Sequence, residues 1–118
     1  MAITYETVSI PAGEAFSGTI DCKSRQPVRI AMPDDWTTGP GGGIITFQIS
    51  SDGTLWFDIF RLNGEPISLV VKPKTAIMFS RELGFDKLAD YFRVRAGAPD
   101  RPAPQSAQRD FIFAIESI

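Results

Sequence analysis

Apolar and polar residues alternate in short runs along this chain, and turn-forming residues separate the runs. In the clearest run, Ile45, Phe47 and Ile49 alternate with polar neighbours. The tripeptide at residues 51–53, Ser-Asp-Gly, then supplies a turn into a second alternating run at residues 54–60. A period of two is typical of strands that bury one face, so the two runs predict a β-hairpin.

The same pattern predicts about eight antiparallel strands. They cover residues 4–10, 16–21, 27–32, 45–50, 54–60, 67–71 with 75–79, 91–96 and 111–115. Pro73 separates residues 67–71 from 75–79, which can form one bent strand. Gly84 limits residues 81–88, the one stretch with helical content, to a short helical turn at most. We therefore expect an all-β fold, a β-sandwich or jelly roll, formed by residues 1–118 as a single domain.

Composition places the chain among ordinary globular proteins. Hydrophobic residues make up 43% of its 118 residues, which is enough apolar material for one core. The formal net charge is −2, so no global positive field attracts phosphates, and nucleic acid is not a predicted partner. No run is long and apolar enough to span a bilayer, and residues 1–10 lack the features of an export signal. No membrane association is predicted.

The residue inventory argues against catalysis. Histidine is absent, which removes the commonest general base and the commonest zinc ligand. The single cysteine, Cys22, can form no intramolecular disulfide and has no neighbour that would clearly activate it. The glycines at 39 and 41–43 lack the Lys-Ser/Thr pair of a phosphate-binding loop. The sequence therefore predicts no enzyme and no catalytic, cofactor-binding or metal-binding residues.

Turn carboxylates at 34, 35, 52 and 58 leave one alternative open. An aspartate beside a turn usually accepts hydrogen bonds from its own backbone, so structural roles are favoured over acid–base work. A Ca²⁺ site, which needs several oxygen ligands, stays possible at this point.

Aromatic and proline-rich positions are the candidates for binding. Trp36 and Trp56 could stack on sugar rings, although core packing is the favoured role, and Trp36 could hold the glycine-rich loop against the sandwich. An interface favours aromatics, arginine and loops that are already ordered. The candidate interface residues are Trp56, Phe60, Pro99, Arg101, Pro102 and Pro104.

Four segments, in this order, resemble a group of small tailed-bacteriophage proteins encoded among virion structural genes. They are residues 9–14 (Ser-Ile-Pro-Ala-Gly-Glu), 30–37 (Ile-Ala-Met-Pro-Asp-Asp-Trp-Thr), 45–53 (Ile-Thr-Phe-Gln-Ile-Ser-Ser-Asp-Gly) and 92–97 (Phe-Arg-Val-Arg-Ala-Gly). The likeness covers most of the chain, but it is a pattern of strands and turns and contains no active-site motif. The loop at residues 39–43 is longer and richer in glycine than in that group.

This resemblance implies a virion accessory component: a capsid decoration protein, a head-fibre or spike base, or a collar protein. The expected partners are the major capsid or neck proteins, and the expected state is a homo-oligomer in a virion assembled in the host bacterial cytoplasm. The alternative from a different class is a carbohydrate-binding, lectin-like module that attaches the particle to a glycan on the host surface.

Overall fold

The computed structural model describes residues 2–39, 41–78 and 90–117, and its regular structure there consists of strands alone. The predicted helical turn at residues 81–88 lies outside the described residues. The strands are β1 (Ile3–Ile10), β2 (Ile20–Asp21), β3 (Arg25–Ala31), β4 (Ile44–Ser50), β5 (Phe57–Asp58), β6 (Ser68–Val70), β7 (Ala76–Met78), β8 (Tyr91–Ala98), β9 (Arg101–Pro102) and β10 (Arg109–Ser117). The all-β prediction is confirmed.

The strands form two antiparallel sheets. The first has the order β1-β10-β3-β7, and the second has the order β2-β8-β4-β5, with β6 also pairing with β4 and β9 with β8. The strands pair from the two ends of the chain inward: β1 with β10, β2 with β8, β3 with β7, and β4 with β5 and β6. This nested pairing is a two-stranded ribbon wrapped around a core, which is the jelly-roll form of the β-sandwich.

The core lies between the two sheets and is rich in phenylalanine. The ring of Phe92 in β8 packs edge-on against Phe113 in β10, with centroids 5.5 Å apart, and lies 6.3 Å from the ring of Phe47 in β4. All three side chains are almost fully buried. Each sits at an inward position of the predicted alternation, so the period of two correctly separates core from surface in these strands.

The second arm of the predicted hairpin is much shorter than the sequence suggests. Residues 54–60 were expected to pair along their length, whereas the ladder contains only Phe57–Asp58. The Asp52 carboxylate accepts hydrogen bonds from the amides of Thr54 and Leu55, at 2.9 and 3.0 Å. These amides are therefore engaged in a wide Asx turn, and the predicted arm begins as irregular chain.

The predicted strand at residues 16–21 is also interrupted. Only Ile20–Asp21 forms a strand, while Phe16 makes an isolated bridge with Arg95. Ile20 pairs with Phe92, so the register against β8 shifts by one residue between the two contacts. A one-residue shift exchanges the faces of a strand. A continuous strand over residues 16–21 predicts that Phe16 and Ile20 share a face, and this prediction is wrong: Ile20 enters the core and Phe16 covers the outer surface.

Candidate functional site

Two loops meet at one end of the sandwich and form the candidate functional site. The indole of Trp36 is 3% exposed, its Nε1 donates to the carbonyl oxygen of Gly42 at 2.7 Å, and its ring packs against Phe111 at 5.6 Å. The glycine-rich loop is therefore held against the core by Trp36. Packing is the role that the structure shows for this residue, and its buried ring offers no face to a sugar.

A buried polar network joins this loop to the proline-rich segment. The guanidinium of Arg109 donates to Asp35 Oδ2 at 3.0 Å, to Thr37 Oγ1 at 2.9 Å and, through Nε, to Gln105 Oε1 at 3.2 Å. Gln105 Oε1 also accepts the Thr37 amide hydrogen at 3.2 Å. Arg109 and Gln105 are both buried. Because every member has partners, the network holds two loops that are distant in sequence in one arrangement.

Sequence reasoning did not identify Arg109 or Gln105 as site residues. The sequence did contain one signal for Arg109. Alternation along β10 places its side chain on the same inward face as the core side chains of Phe111 and Phe113. A charged residue at an inward position normally requires buried partners. Two of its partners, Asp35 and Thr37, lie more than 70 positions away along the chain, so the local pattern could not name them.

A glycine positions the turn between β8 and β9. Gly97 has a φ of +90°, and a side-chain carbon placed there would contact the carbonyl oxygen of Arg101 and lie 2.8 Å from the amide nitrogen of Ala103. The Ala103 amide donates to the carbonyl oxygen of Ala96 at 2.8 Å. Residues 101–103 therefore lie directly on the backbone of β8, at a distance that only glycine permits.

Two adjoining grooves share the side chain of Arg101. One has a volume of about 450 Å³ and is lined by Thr38, Gly41, Gly43, Ile44, Ala98 and Arg101. The other has a volume of about 420 Å³ and is lined by Gly39, Arg101, Pro102, Ala103, Pro104 and Gln105. Among the described residues, no carboxylate forms an ion pair with Arg101. Three predicted interface residues, Arg101, Pro102 and Pro104, thus line the grooves, while Pro99 is half-buried in the adjacent turn.

A second cluster covers the outer face of the second sheet, which contains β8 and β4. The guanidinium of Arg93 lies between two aromatic rings, 4.4 Å from the centroid of Phe16 and 4.4 Å from that of Trp56. Its Nε and Nη2 both donate to Gln48 Oε1, at 2.8 and 2.6 Å. Burial and the neighbouring positive charge of Arg95 lower the pKa of Arg93. Arg93 therefore covers part of the Trp56 ring.

The neighbouring Arg95 is buried, although it lies on the outer face of β8. Its Nη1 forms an ion pair with Asp58 at 2.8 Å, and its Nε donates to Thr46 Oγ1 at 3.0 Å. Nη2 has no hydrogen-bond partner among the described residues, and the guanidinium carbon lies 5.5 Å from the Phe16 ring centre. A ring face stabilises a cation electrostatically, so Phe16 and Asp58 hold Arg95 in place.

The structure does not bring all the predicted interface residues together. Trp56 and Phe60 flank β5, whose Phe57 pairs with Ile49 near the C-terminal end of β4. The β8–β9 turn follows Ala96, which pairs with Ile45 near the other end of β4. The aromatic positions and the Arg101 grooves therefore lie at opposite ends of the same sheet.

Three of the turn carboxylates, Asp35, Asp52 and Asp58, have structural partners. Asp35 and Asp58 pair with arginines, and amide hydrogen bonds from Leu55 and Thr54 lower the pKa of the Asp52 carboxyl. Within residues 2–39, 41–78 and 90–117, no three acidic or cysteine side chains gather in an arrangement that could hold a metal ion. No helix in the same ranges is long and apolar enough to cross a membrane.

Comparison with known proteins finds no family model and no curated protein that matches this sequence. The resemblance to phage virion proteins therefore remains a prediction, and the arguments about function depend on the fold and its surfaces.

Proposed function

We propose that this chain is a non-enzymatic structural component of a phage virion, which attaches to the capsid or neck as an oligomer. The observation that carries this proposal is the preordered pair of loops around Arg101, a residue that lines both grooves. Preordered loops lose little conformational entropy when a partner binds, so a modest contact area can give useful affinity.

The fold supports this class of function without identifying it. The jelly roll serves as the framework of viral capsid and lectin domains, and function on such a framework comes from the surfaces that it presents. Here the loops at one end of the sandwich carry the accessible grooves. The molecule is therefore suited to attachment through shape and surface chemistry.

The chemistry of the grooves indicates the kind of partner. Arg101 is exposed and has no ion-pair partner among the described residues, so its guanidinium is free to bind a carboxylate through paired hydrogen bonds. Glycine and proline walls allow a partner backbone to approach closely. We propose that an acidic segment of a capsid or neck protein occupies the grooves, and repeated copies on a symmetric particle would multiply this contact into high avidity.

Proteomic analysis of particles tests the proposal directly. We expect mass spectrometry of purified virions, produced from the genome that encodes this chain, to detect it at a copy number comparable with other structural proteins. A docking site that the symmetry of the particle repeats would be occupied by many copies of this chain in each virion. Particles that lack the polypeptide would contradict the virion assignment.

Reversing the charge at the grooves tests the proposed docking site. We expect Arg101→Glu to weaken binding to capsids or necks that lack this protein by about tenfold or more, because a carboxylate would then face the acidic partner. Arg61→Glu is the matched control, since Arg61 is also exposed but lies beside the β5–β6 turn. Both variants should keep the wild-type circular dichroism spectrum. Equal binding by Arg101→Glu and wild type would place the docking surface elsewhere.

The lectin-like alternative now depends on Trp56. Its ring is half-buried and partly covered by Arg93, which leaves less aromatic surface than an open sugar platform provides. Glycan-array binding that Trp56→Ala abolishes and Arg101→Glu preserves would favour this alternative over docking on the virion.

A further inference from the structure

The first strand of the chain forms an unusually long open sheet edge. β1 contains eight residues and lies at the border of its sheet. The other edge strands in the described part of the chain, β2, β5, β6, β7 and β9, contain two or three residues each. Short edges are one of the ways in which proteins avoid pairing with other chains, and β1 lacks this protection.

The hydrogen-bond pattern shows which backbone groups of β1 are open. The amide of Ser117 donates to the Ala2 carbonyl oxygen at 3.0 Å. The backbone N–H and C=O groups of even-numbered residues in β1 therefore point toward β10. The Ser9 carbonyl oxygen instead accepts from the Gly18 amide at 3.2 Å, on the side away from β10. Because this direction alternates along an antiparallel strand, the N–H and C=O groups of residues 3, 5 and 7 point to the open edge.

The side chains of β1 do not block this edge. Residues 3–10 contain no proline, glycine or lysine, the residues that commonly protect edge strands. The single charged residue, Glu6, is engaged with Arg25 at 2.9 Å. The strand is otherwise rich in β-branched and aromatic residues, which favour extended pairing.

We propose that β1 pairs antiparallel with β1 of a second copy of this chain, so that two four-stranded sheets join into one continuous sheet. One register uses residues 3, 5 and 7 of both copies, with Tyr5 opposite Tyr5 and Ile3 opposite Thr7. This register also places Glu6 of one copy opposite Thr4 of the other. A register centred on Glu6 in place of Tyr5 would put the two Glu6 carboxylates opposite each other. This contact is isologous, so it closes as a two-fold dimer without forming an open fibre.

The outer surface beside the edge supports the same partner. Ile3 and Tyr5 are 46% and 64% exposed. Pairing through β1 brings the two Tyr5 side chains together across the two-fold axis and places each Ile3 beside Thr7 of the other copy. The paired segment is only a few residues long, so we expect a reversible dimer whose population depends on concentration. This inference rests on the proposed function for its biological role, but its test uses the isolated chain.

Molar mass measured by light scattering over a range of concentrations tests the pairing. We expect the wild-type chain to dimerise and Thr7→Pro to remain a folded monomer, because proline removes an amide that faces the open edge and not the β10 ladder. Ile112→Lys is the control, since it adds charge to the outer face and leaves the edge intact. A monomeric wild type, or a dimer that Ile112→Lys disrupts and Thr7→Pro preserves, would overturn the proposal.

Cysteine cross-linking tests the register without a proline. Opposed residues of a hydrogen-bonded pair lie within disulfide reach, so Tyr5→Cys should form a covalent dimer under mild oxidation, many-fold faster than Ala76→Cys at the opposite edge of the sheet. Cys22 does not interfere, because burial raises its pKa to about 12 and keeps the thiol protonated. Equal rates for the two variants, or no covalent dimer from Tyr5→Cys, would contradict the pairing. Virion binding is measured separately, so either proposal can fail alone.

Discussion

Replacing Gly97 by alanine is expected to destabilise the protein by about 3 kcal/mol. Two effects combine: a φ of +90° strains any residue with a side-chain carbon, and that carbon would meet backbone atoms of Arg101 and Ala103. These backbone atoms belong to the β8–β9 pairing and cannot rotate away as a flexible side chain would. Urea unfolding, followed by far-UV circular dichroism, measures the change.

Gly18→Ala is the matched control for this substitution. No atom lies within 4 Å of the carbon that alanine would add at Gly18, and its φ is not in the positive range. We expect a change of less than about 1 kcal/mol there. If Gly97→Ala were as stable as this control, the close approach of residues 101–103 to β8 would be disproved, and the geometry of both Arg101 grooves with it.

Replacing Arg109 by methionine is expected to reduce the free energy of unfolding by about 2 to 3 kcal/mol. Methionine keeps an unbranched, flexible apolar stem but removes the donors to Asp35, Thr37 and Gln105. The Asp35 side chain is 58% exposed, so its carboxylate can be hydrated once the pair is lost. The main penalty then comes from Gln105, which is buried beside a side chain that no longer donates to it.

Arg25→Met provides the comparison for Arg109→Met. Arg25 forms an ion pair with Glu6, and the distance from Nη1 to Oε1 is 2.9 Å. The Arg25 side chain is 25% exposed, so this pair is in contact with water. An ion pair in this environment contributes at most about 1 kcal/mol. Hydrogen exchange adds a second readout, since Arg109→Met should accelerate exchange in residues 101–105 more than in the phenylalanine core. Equal losses in the two variants would show that the network does not hold the loops.

The strands with strict alternation were predictable from sequence. The prediction at residues 45–50 differs by one residue from β4, and residues 111–115 lie inside β10. Both strands bury one face, so the alternation of apolar and polar residues shows which side chains point into the core. The arm at residues 54–60 was not predictable in this way, because a single carboxylate, Asp52, engages the amides at its start.

The candidate site was predictable in its parts but not in its assembly. Prolines and glycines identified both loops, and Arg101, Pro102 and Pro104 do line the grooves. The contacts that join the loops involve Arg109 and Gln105, whose partners are set by the tertiary fold. Periodicity reports the local environment of a residue and carries no information on distant partners.

The nested strand pairing also has a kinetic consequence. β10 lies between β1 and β3, so the first sheet cannot close until residues 109–117 have left the ribosome. Contacts between such distant segments give slow folding, because the entropy of closing long loops must be overcome before the pairing stabilises the chain. During synthesis β1 therefore has no partner strand until β10 emerges, and an unpaired strand with exposed apolar residues is prone to aggregate.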